Sequence, residues 1–473
     1  MMKSAKRGCL LVALLAVAVG LPGCGVAVRQ AKNAVDFSRH EGKFGRYGRL
    51  TDQETQWAKV AWRYFENNTN PESGLVNAFD QYPTFSMWQV GDYLAALVAV
   101  HDLDLIDTLE FDRRMSQILQ FLNTMDLSEK SLPGRLYNSV TGKMVNASNK
   151  PEDTGWSGVE IGRLLTWMKI IGLRYPQYRE YLDKAVLRWN FCQVIDDAGT
   201  MYRVSRSGEK RQRTQEGRLG YEQLAGAGFA AWGFDTERLW RVARMESVTI
   251  LGVPITYDAR DPRLTGEQAP VSTMPWVLLG MEYGWRYPGE SRSGVLINID
   301  ARQLAEQVYQ VQEVRFERQG ELTARTDYQL REPPLTIHDA VFVAGYPWNT
   351  VTADGDSAEE RALVSTRAVF GMWGLWPGSY TDRLMQAVQN LFNPERGWYE
   401  GRLEQSGAAQ ASISLSTNAM VLETLLFKVR GQLFPHDTGI GYFQHKLDNV
   451  FERRVQCLPP DRPISSAEVA RGS

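Results

Sequence analysis

The chain has 473 residues, 43% of them hydrophobic and 23% charged, and its 53 basic and 55 acidic side chains leave a net charge of −2. That balance excludes the basic footprint of a nucleic-acid binder and a polybasic membrane patch, and it is ordinary for a globular protein. The excess lies in 14 Trp and 19 Tyr, rings that either fill a core or stack on planar and sugar-like ligands.

Residues 1–24 read as an address rather than as fold. Lys3, Lys6 and Arg7 precede an apolar run from Leu10 to Leu21 that is short for a membrane span. The run ends in Leu21-Pro22-Gly23-Cys24, which resembles the bacterial lipobox with Cys24 as the lipidated residue. An ordinary cleaved signal peptide is the alternative. Gly25 rather than Asp after the cysteine favours, on that resemblance, an outer-membrane anchor facing the periplasm over inner-membrane retention. Cys192 and Cys457 would then remain as two thiols that an oxidising envelope allows to pair. No zinc-type cysteine spacing occurs, and neither a metal nor a cofactor is expected. Residues 25–50 read as a tether, 51–432 as one large domain, and 433–473 as a C-terminal extension and tail.

Within the domain, chain reversals recur. The glycines of Pro71-Glu72-Ser73-Gly74, Leu132-Pro133-Gly134, Asp197-Ala198-Gly199 and Glu395-Arg396-Gly397 are spaced 60, 65 and 198 residues apart, the last close to three times 66. Weaker turns fall near Gly266 and Gly320. Such a period means one supersecondary unit copied along the chain, and apolar residues between the turns recur at helical spacing. Twelve helices are predicted, at 52–68, 85–101, 110–124, 154–173, 178–194, 218–233, 235–248, 273–285, 300–318, 361–374, 379–392 and 415–430. Connectors after odd helices are long and those after even helices mostly short. Six hairpins that close into a ring therefore gather their long loops on one rim, and loops of that length usually carry function. The even helices are the more apolar, as in Tyr93-Leu94-Ala95-Ala96-Leu97-Val98. They open on hydroxyl caps followed by aromatics, which makes them the inner ring with its N-termini at the long-loop rim.

Particular segments match a known family: Gly155-Trp156-Ser157 with Ile161-Gly162-Arg163-Leu164-Leu165, Glu216-Gly217-Arg218-Leu219-Gly220-Tyr221-Glu222-Gln223, Val364-Ser365-Thr366 with Ala368, Gly397-Trp398-Tyr399-Glu400-Gly401, and Thr417-Asn418-Ala419 with Val421-Leu422-Glu423. Together they resemble the bacterial domain-of-unknown-function-3131 family, envelope proteins similar in fold to glucoamylase-like toroids. The resemblance implies an all-α (α/α)6 toroid and a connection with glycans. Two positions depart from the pattern: Gln89 follows Trp88, and Met274 precedes Pro275, where the family commonly carries acids.

Hydrolysis of a glycoside needs two carboxylates across a sugar. Glu222, one turn into an inner helix beside Tyr221, is the first candidate for proton donor, with a salt bridge to Arg218 as the alternative. Glu400 is the second candidate. Asp153 lies at the opening of the fourth helix, where capping competes with catalysis. Glu216 and Asp339 are candidate substrate contacts, the latter in a loop with His338, Tyr346 and Trp348 that could form a lid. Trp88, Trp156, Tyr221, Trp276, Trp348 and Trp398 are candidate stacking platforms, each with core packing as the alternative. Glu160 and Glu423, inside helices, read as structural. The function expected is that of an envelope lipoprotein that binds and hydrolyses a polysaccharide, an exopolysaccharide or glucan. The rivals are a non-catalytic glycan-binding partner of an exopolysaccharide synthesis or secretion system, and a lyase built on His338 and Tyr346.

Overall fold

The computed structural model describes residues 44–196, 198–234, 236–241, 244–288 and 299–435. The expected signal peptide, Cys24 and Cys457 lie outside them; Cys192 is disulfide-bonded. The α-helices, in chain order, are α1 (Asp52–Asn68), α2 (Met87–Asp102), α3 (Thr108–Thr124), α4 (Gly158–Arg174), α5 (Arg179–Leu187), α6 (Tyr221–Ala230), the single turn α7 (Pro262–Thr265), α8 (Met274–Tyr283), α9 (Ala301–Gln319), α10 (Thr366–Leu375), α11 (Ser379–Val388) and α12 (Leu415–Arg430).

The long even helices close a ring. Each of α2, α4, α6, α8, α10 and α12 packs on the next, and α12 returns to α2. Burial on all sides explains their composition. Every residue of α8 is buried, whereas the outer α9 buries one stripe that includes Ala301, Ala305, Val308 and Val311, as an amphipathic surface helix should. The outer helix α1 starts on a capping box: Thr51 Oγ1 accepts from Glu54 N at 3.2 Å while Glu54 Oε2 accepts from Thr51 N at 2.7 Å. Inner helices approach closely where glycine allows it. A Cβ on Gly228 of α6 would sit 2.0 Å from the Gly162 carbonyl oxygen of α4, so these two backbones touch.

One predicted helix is absent. Among its described residues, the stretch 235–248 contains only a 3₁₀ turn, Glu237–Trp240, before an antiparallel hairpin of Met245–Ile250 with Val253–Asp258. Val248, Thr249 and Ile250 are β-branched, and Leu251 and Gly252 both adopt positive φ, the two-residue turn that matches strand twist. β-propensity and turn chemistry there outweigh helical periodicity. The long connectors also hold more order than expected, as small antiparallel sheets. Gly155–Ser157 pairs with Tyr202–Ser207, which pairs with Lys210–Gln215. The strand at 155–157 delays α4, so Ser157 rather than Thr154 caps it, its Oγ accepting from Glu160 N at 3.1 Å.

The short-connector end is strapped shut. Residues 44–50, expected as free tether, lie across it: Arg46 N donates to the Gly374 carbonyl at 2.7 Å and Gly48 N to that of Lys428 at 3.0 Å. Phe44 packs on Trp285 and Phe427. Leu433 N and Phe434 N donate to the carbonyls of Met281 and Glu282. Trp373 and Trp376 pack at this end, with Trp376 stacked on Tyr309 at 4.8 Å.

The ring is filled midway along its axis by ions. Arg163 of α4 donates to Asp92 of α2 at 3.0 Å, to Glu423 of α12 at 2.7 Å, and to Glu282 of α8. Trp167 Nε1 also donates to Glu282, at 2.8 Å. All four charged side chains are buried. Burial raises Asp92 and Glu423, with Arg163 pulling both the other way. Glu423 is structural, as expected of a mid-helix acid. This hub is the floor beneath the long-loop rim.

Candidate active site

Above the hub, the inner-helix N-termini and the long loops enclose a pocket of about 1070 Å³, counted out to solvent. Trp88 and Gln89 of α2, Glu160 of α4, Tyr221 of α6, Met274 of α8 and Arg367 of α10 line it, with Ser416 of α12. Every inner helix therefore contributes.

Four of the residues singled out from sequence meet there: Trp88, Glu216, Tyr221 and Glu400. Trp88 meets Tyr221 edge to face at 5.9 Å, and the Arg163 guanidinium lies 5.7 Å from the Trp88 ring centre, so the hub fixes this platform from below. Glu216 accepts from Ser157 Oγ at 2.9 Å and from Val159 N at 3.1 Å. Burial raises its pKa, with Arg203 opposing. Glu400 is buried and accepts through Oε1 from Thr417 Oγ1 at 2.9 Å and from Ser414 Oγ. Its backbone also accepts from Thr366 N, which ties it to the α10 and α12 side of the ring.

His338 lines the pocket as well; the remaining candidates are elsewhere, and each of those is a correction. Glu222 is absent from the lining: its Oε1 accepts from Gln215 Nε2 at 3.1 Å and its Oε2 from Arg260 at 3.3 Å. The salt bridge expected with Arg218 does not form, because Arg218 turns to Asp258 at 2.7 Å. Burial pushes Glu222 up to about 7, against the pull of Arg260. Asp153 staples loops, accepting from Glu129 N, Gly155 N and Arg206. Trp156, Trp276 and Trp398 are core, each 2% exposed or less. Trp398 sits among Trp57, Phe370 and Phe392 and donates to the Trp57 carbonyl at 3.2 Å. Asp339 is buried on the far face of its strand, and Trp348 lines a different cavity. Tyr346 is 68% exposed and lies off the pocket, so the His338–Tyr346 pairing fails.

Two groups that sequence reading undervalued fill the gap. Glu160 lines the pocket, and its Oε2 is shut from solvent without a hydrogen-bond partner. Burial lifts its carboxyl to about 7, with Glu216 adding to the rise and Arg135 opposing it. The second is Asp327. Its Oδ1 lies 3.0 Å from His338 Nδ1, while Oδ2 accepts from Tyr221 Oη at 2.9 Å and Ser272 Oγ at 2.8 Å. Burial alone would raise Asp327, but the His338, Ser272 and Tyr221 contacts outweigh it and hold the carboxyl below its usual value. His338 is raised, because its contact with Asp327 exceeds the cost of burial. The signal for Glu160 was present in sequence as the third residue after the Ser157 cap. Nothing local marked Asp327. Gln89 and Met274 both line the pocket. Gln89 is committed to scaffolding, accepting from Ser86 N at 2.7 Å and donating to Gln329 Oε1 at 3.1 Å.

The pocket thus sets a neutral-leaning acid, Glu160, on the α4 side of the ring. Glu400 lines the same pocket from the side of α10 and α12. The family model of DUF3131, a protein of unknown function, matches residues 56–431. The chain belongs to the DUF3131 family. Solved structures share the toroid of this DUF3131 protein at low identity. A candidate glucoamylase from Bacteroides uniformis is 12% identical with a TM-score of 0.58, covering 85% of this chain and 98% of its own. One from Bacteroides fragilis is 14% identical with a TM-score of 0.58, covering 87% and 99%. An endo-β-1,2-glucanase from Chitinophaga pinensis, solved with sophorotriose and glucose, is 13% identical with a TM-score of 0.57, covering 85% and 98%. No curated protein matches the DUF3131 chain in sequence.

Proposed function

We propose that this protein binds and hydrolyses a polysaccharide, an exopolysaccharide or glucan, in the long-loop pocket. The observation that carries the reading is that Glu160 and Glu400, held by different inner helices, are among the carboxyls lining one cavity with Trp88 and Tyr221. Glu160, with a pKa near 7, donates its proton to the departing glycosidic oxygen. Glu400 serves the other face of the sugar as base or nucleophile. Trp88 stacks on a pyranose ring, and the Asp327–His338–Tyr221 network orients hydroxyl groups. The toroid is shared with proteins named for glucan hydrolysis, which favours a glucan within the polysaccharide class. An anchor through Cys24 at the outer membrane, facing the periplasm, would place the pocket among envelope glycans.

The test is release of reducing ends from a panel of β-glucans and secreted polysaccharides. Glu160→Gln and Glu400→Gln are each expected to lose about 100-fold or more of the activity, within the range that general acid–base groups supply. Activity that survives both substitutions would remove this assignment. An equal loss on Glu222→Gln would return the proton donor to that residue. Binding of a polymer with no product from any variant or the parent protein would favour the non-catalytic partner of a synthesis or secretion system, the reading that Gln89 and Met274 support.

A further inference from the structure

The strand Thr336–Asp339 has two working faces. Side chains alternate along a strand, and here Thr336 and His338 line the candidate active site while Asp339 points to the opposite side. There Asp339 Oδ1 accepts from Arg325 Nη1 at 2.8 Å and from Thr350 Oγ1 at 2.8 Å. Arg325 and Thr350 line a second cavity, of about 1220 Å³ counted out to solvent. This cavity lies behind the sheet that walls the first pocket, between the loop after α9 and the loop after α11.

Its lining is unusual for a space that merely separates loops. Trp348 lines it, held by the Arg315 guanidinium 4.5 Å from its ring centre. Arg315 and Arg325 are themselves clamped by Glu404, one on each carboxylate oxygen. Those two guanidiniums are therefore fixed by one shared carboxylate. Arg402 also lines the cavity and its Nε, like those of Arg315 and Arg325, is buried without a hydrogen-bond partner; it differs from them in that no ion pair holds it among the described residues. A buried, unpaired donor is costly unless something completes it. Three arginines (315, 325, 402) face three glutamates (321, 359, 404) in the lining, so the cavity carries no net charge to attract a strongly anionic ligand. A fixed indole, a guanidinium without an ion pair, carboxylates and the Gln405 amide together suit neutral sugar hydroxyls and ring faces.

We propose that this cavity is a second saccharide-binding site, one that holds a remote stretch of the same neutral polysaccharide whose cleavage the first pocket performs. The proposal rests on the hydrolase reading only for the identity of the polymer. Binding at two points raises the effective concentration of chain at the first pocket. It favours polymer over fragments too short to reach both sites.

The test uses the full chain in gels that contain each polymer of the panel, alongside kcat/KM on polymer and on a trisaccharide. Arg402→Ala, Trp348→Ala and Gln405→Trp are compared with the parent protein. The last substitution fills the cavity mouth from an exposed loop position and leaves the buried network intact. The expected result is polymer retardation weakened about fivefold or more by each variant, as for removal of one stacking or hydrogen-bonding anchor. The ratio of polymer to trisaccharide turnover should fall to match. Unchanged retardation with Gln405→Trp would overturn the proposal, and so would an equal loss on polymer and trisaccharide. If polymer binding depends on these residues but no variant or parent yields product, the second site stands and the hydrolase reading falls.

Discussion

Glu160 is a carboxylic acid with its proton held by burial, and that fixes the sign of two pH effects. As a proton donor it works only when protonated, so hydrolysis should fall as pH rises through about 7. A pH–rate profile checks this, and Glu160→Gln should abolish the limb together with most of the rate. The same shift acts on stability. A folded-state pKa above the unfolded value contributes stability that is complete below the unfolded pKa and is lost as pH climbs towards 7. The stake is roughly 1–3 kcal/mol for a half-buried acid, so the midpoint of denaturation measured at pH 5 and pH 8 should differ less in Glu160→Gln than in the parent. Sequence placed Glu160 inside a helix and therefore among structural acids. Helical periodicity cannot say whether the third residue of a helix looks along the ring axis or into a neighbour. Glu222 shows the converse: it had the right rim and the right helix turn, yet Arg260, which arrives from the loop after the 245–258 hairpin, captures its carboxylate.

Elements were more legible than residues. The alternation of apolar inner and amphipathic outer helices, the caps and the unequal connectors are local properties, and α12 runs over 415–430 as predicted. The miss at 235–248 is also local in origin: a run of β-branched residues before Leu251-Gly252 carries a hairpin signal that a helical count overrides. Glycines report contacts that the sequence alone leaves unassigned. Gly162 and Gly228 look like ordinary helix glycines, which would cost about 1 kcal/mol each relative to Ala. Their reason is tertiary, since α4 and α6 touch there. Gly228→Ala should therefore destabilise rather than help, by about 1–3 kcal/mol or more from overpacking, read as a lower midpoint in urea. A gain in stability would mean that the two helices can move apart freely.

The described helical domain is a ring with a charged centre, and the centre is where it is most exposed to substitution. Arg163 answers three buried acids from three other helices. Arg163→Met would leave Asp92, Glu282 and Glu423 without their guanidinium, at a cost of about 3–5 kcal/mol. The deficit should be larger at pH 8 than at pH 5, because carboxyls already raised by burial take up protons at the lower pH and cease to be unpaired charges. Thermal midpoints of the variant at the two values check this, and an equal deficit at both would mean that Arg163 acts by packing alone. Since Arg163 also lies beneath Trp88, the variant should weaken polysaccharide binding even where it remains folded.

The sequence by itself determined the ring, its inner and outer helices and the rim that carries the loops. Those follow from spacing, capping and connector length, which are written within a few tens of residues. Only the tertiary structure decided which acids share a cavity. Asp327 meets Tyr221 across 106 positions of chain, Arg163 meets Glu423 across 260, and Trp398 turns into the core because Trp57 and Phe370 receive it. The direction of a side chain across a closed ring depends on what the other five inner helices bring to the axis, and no local pattern carries that.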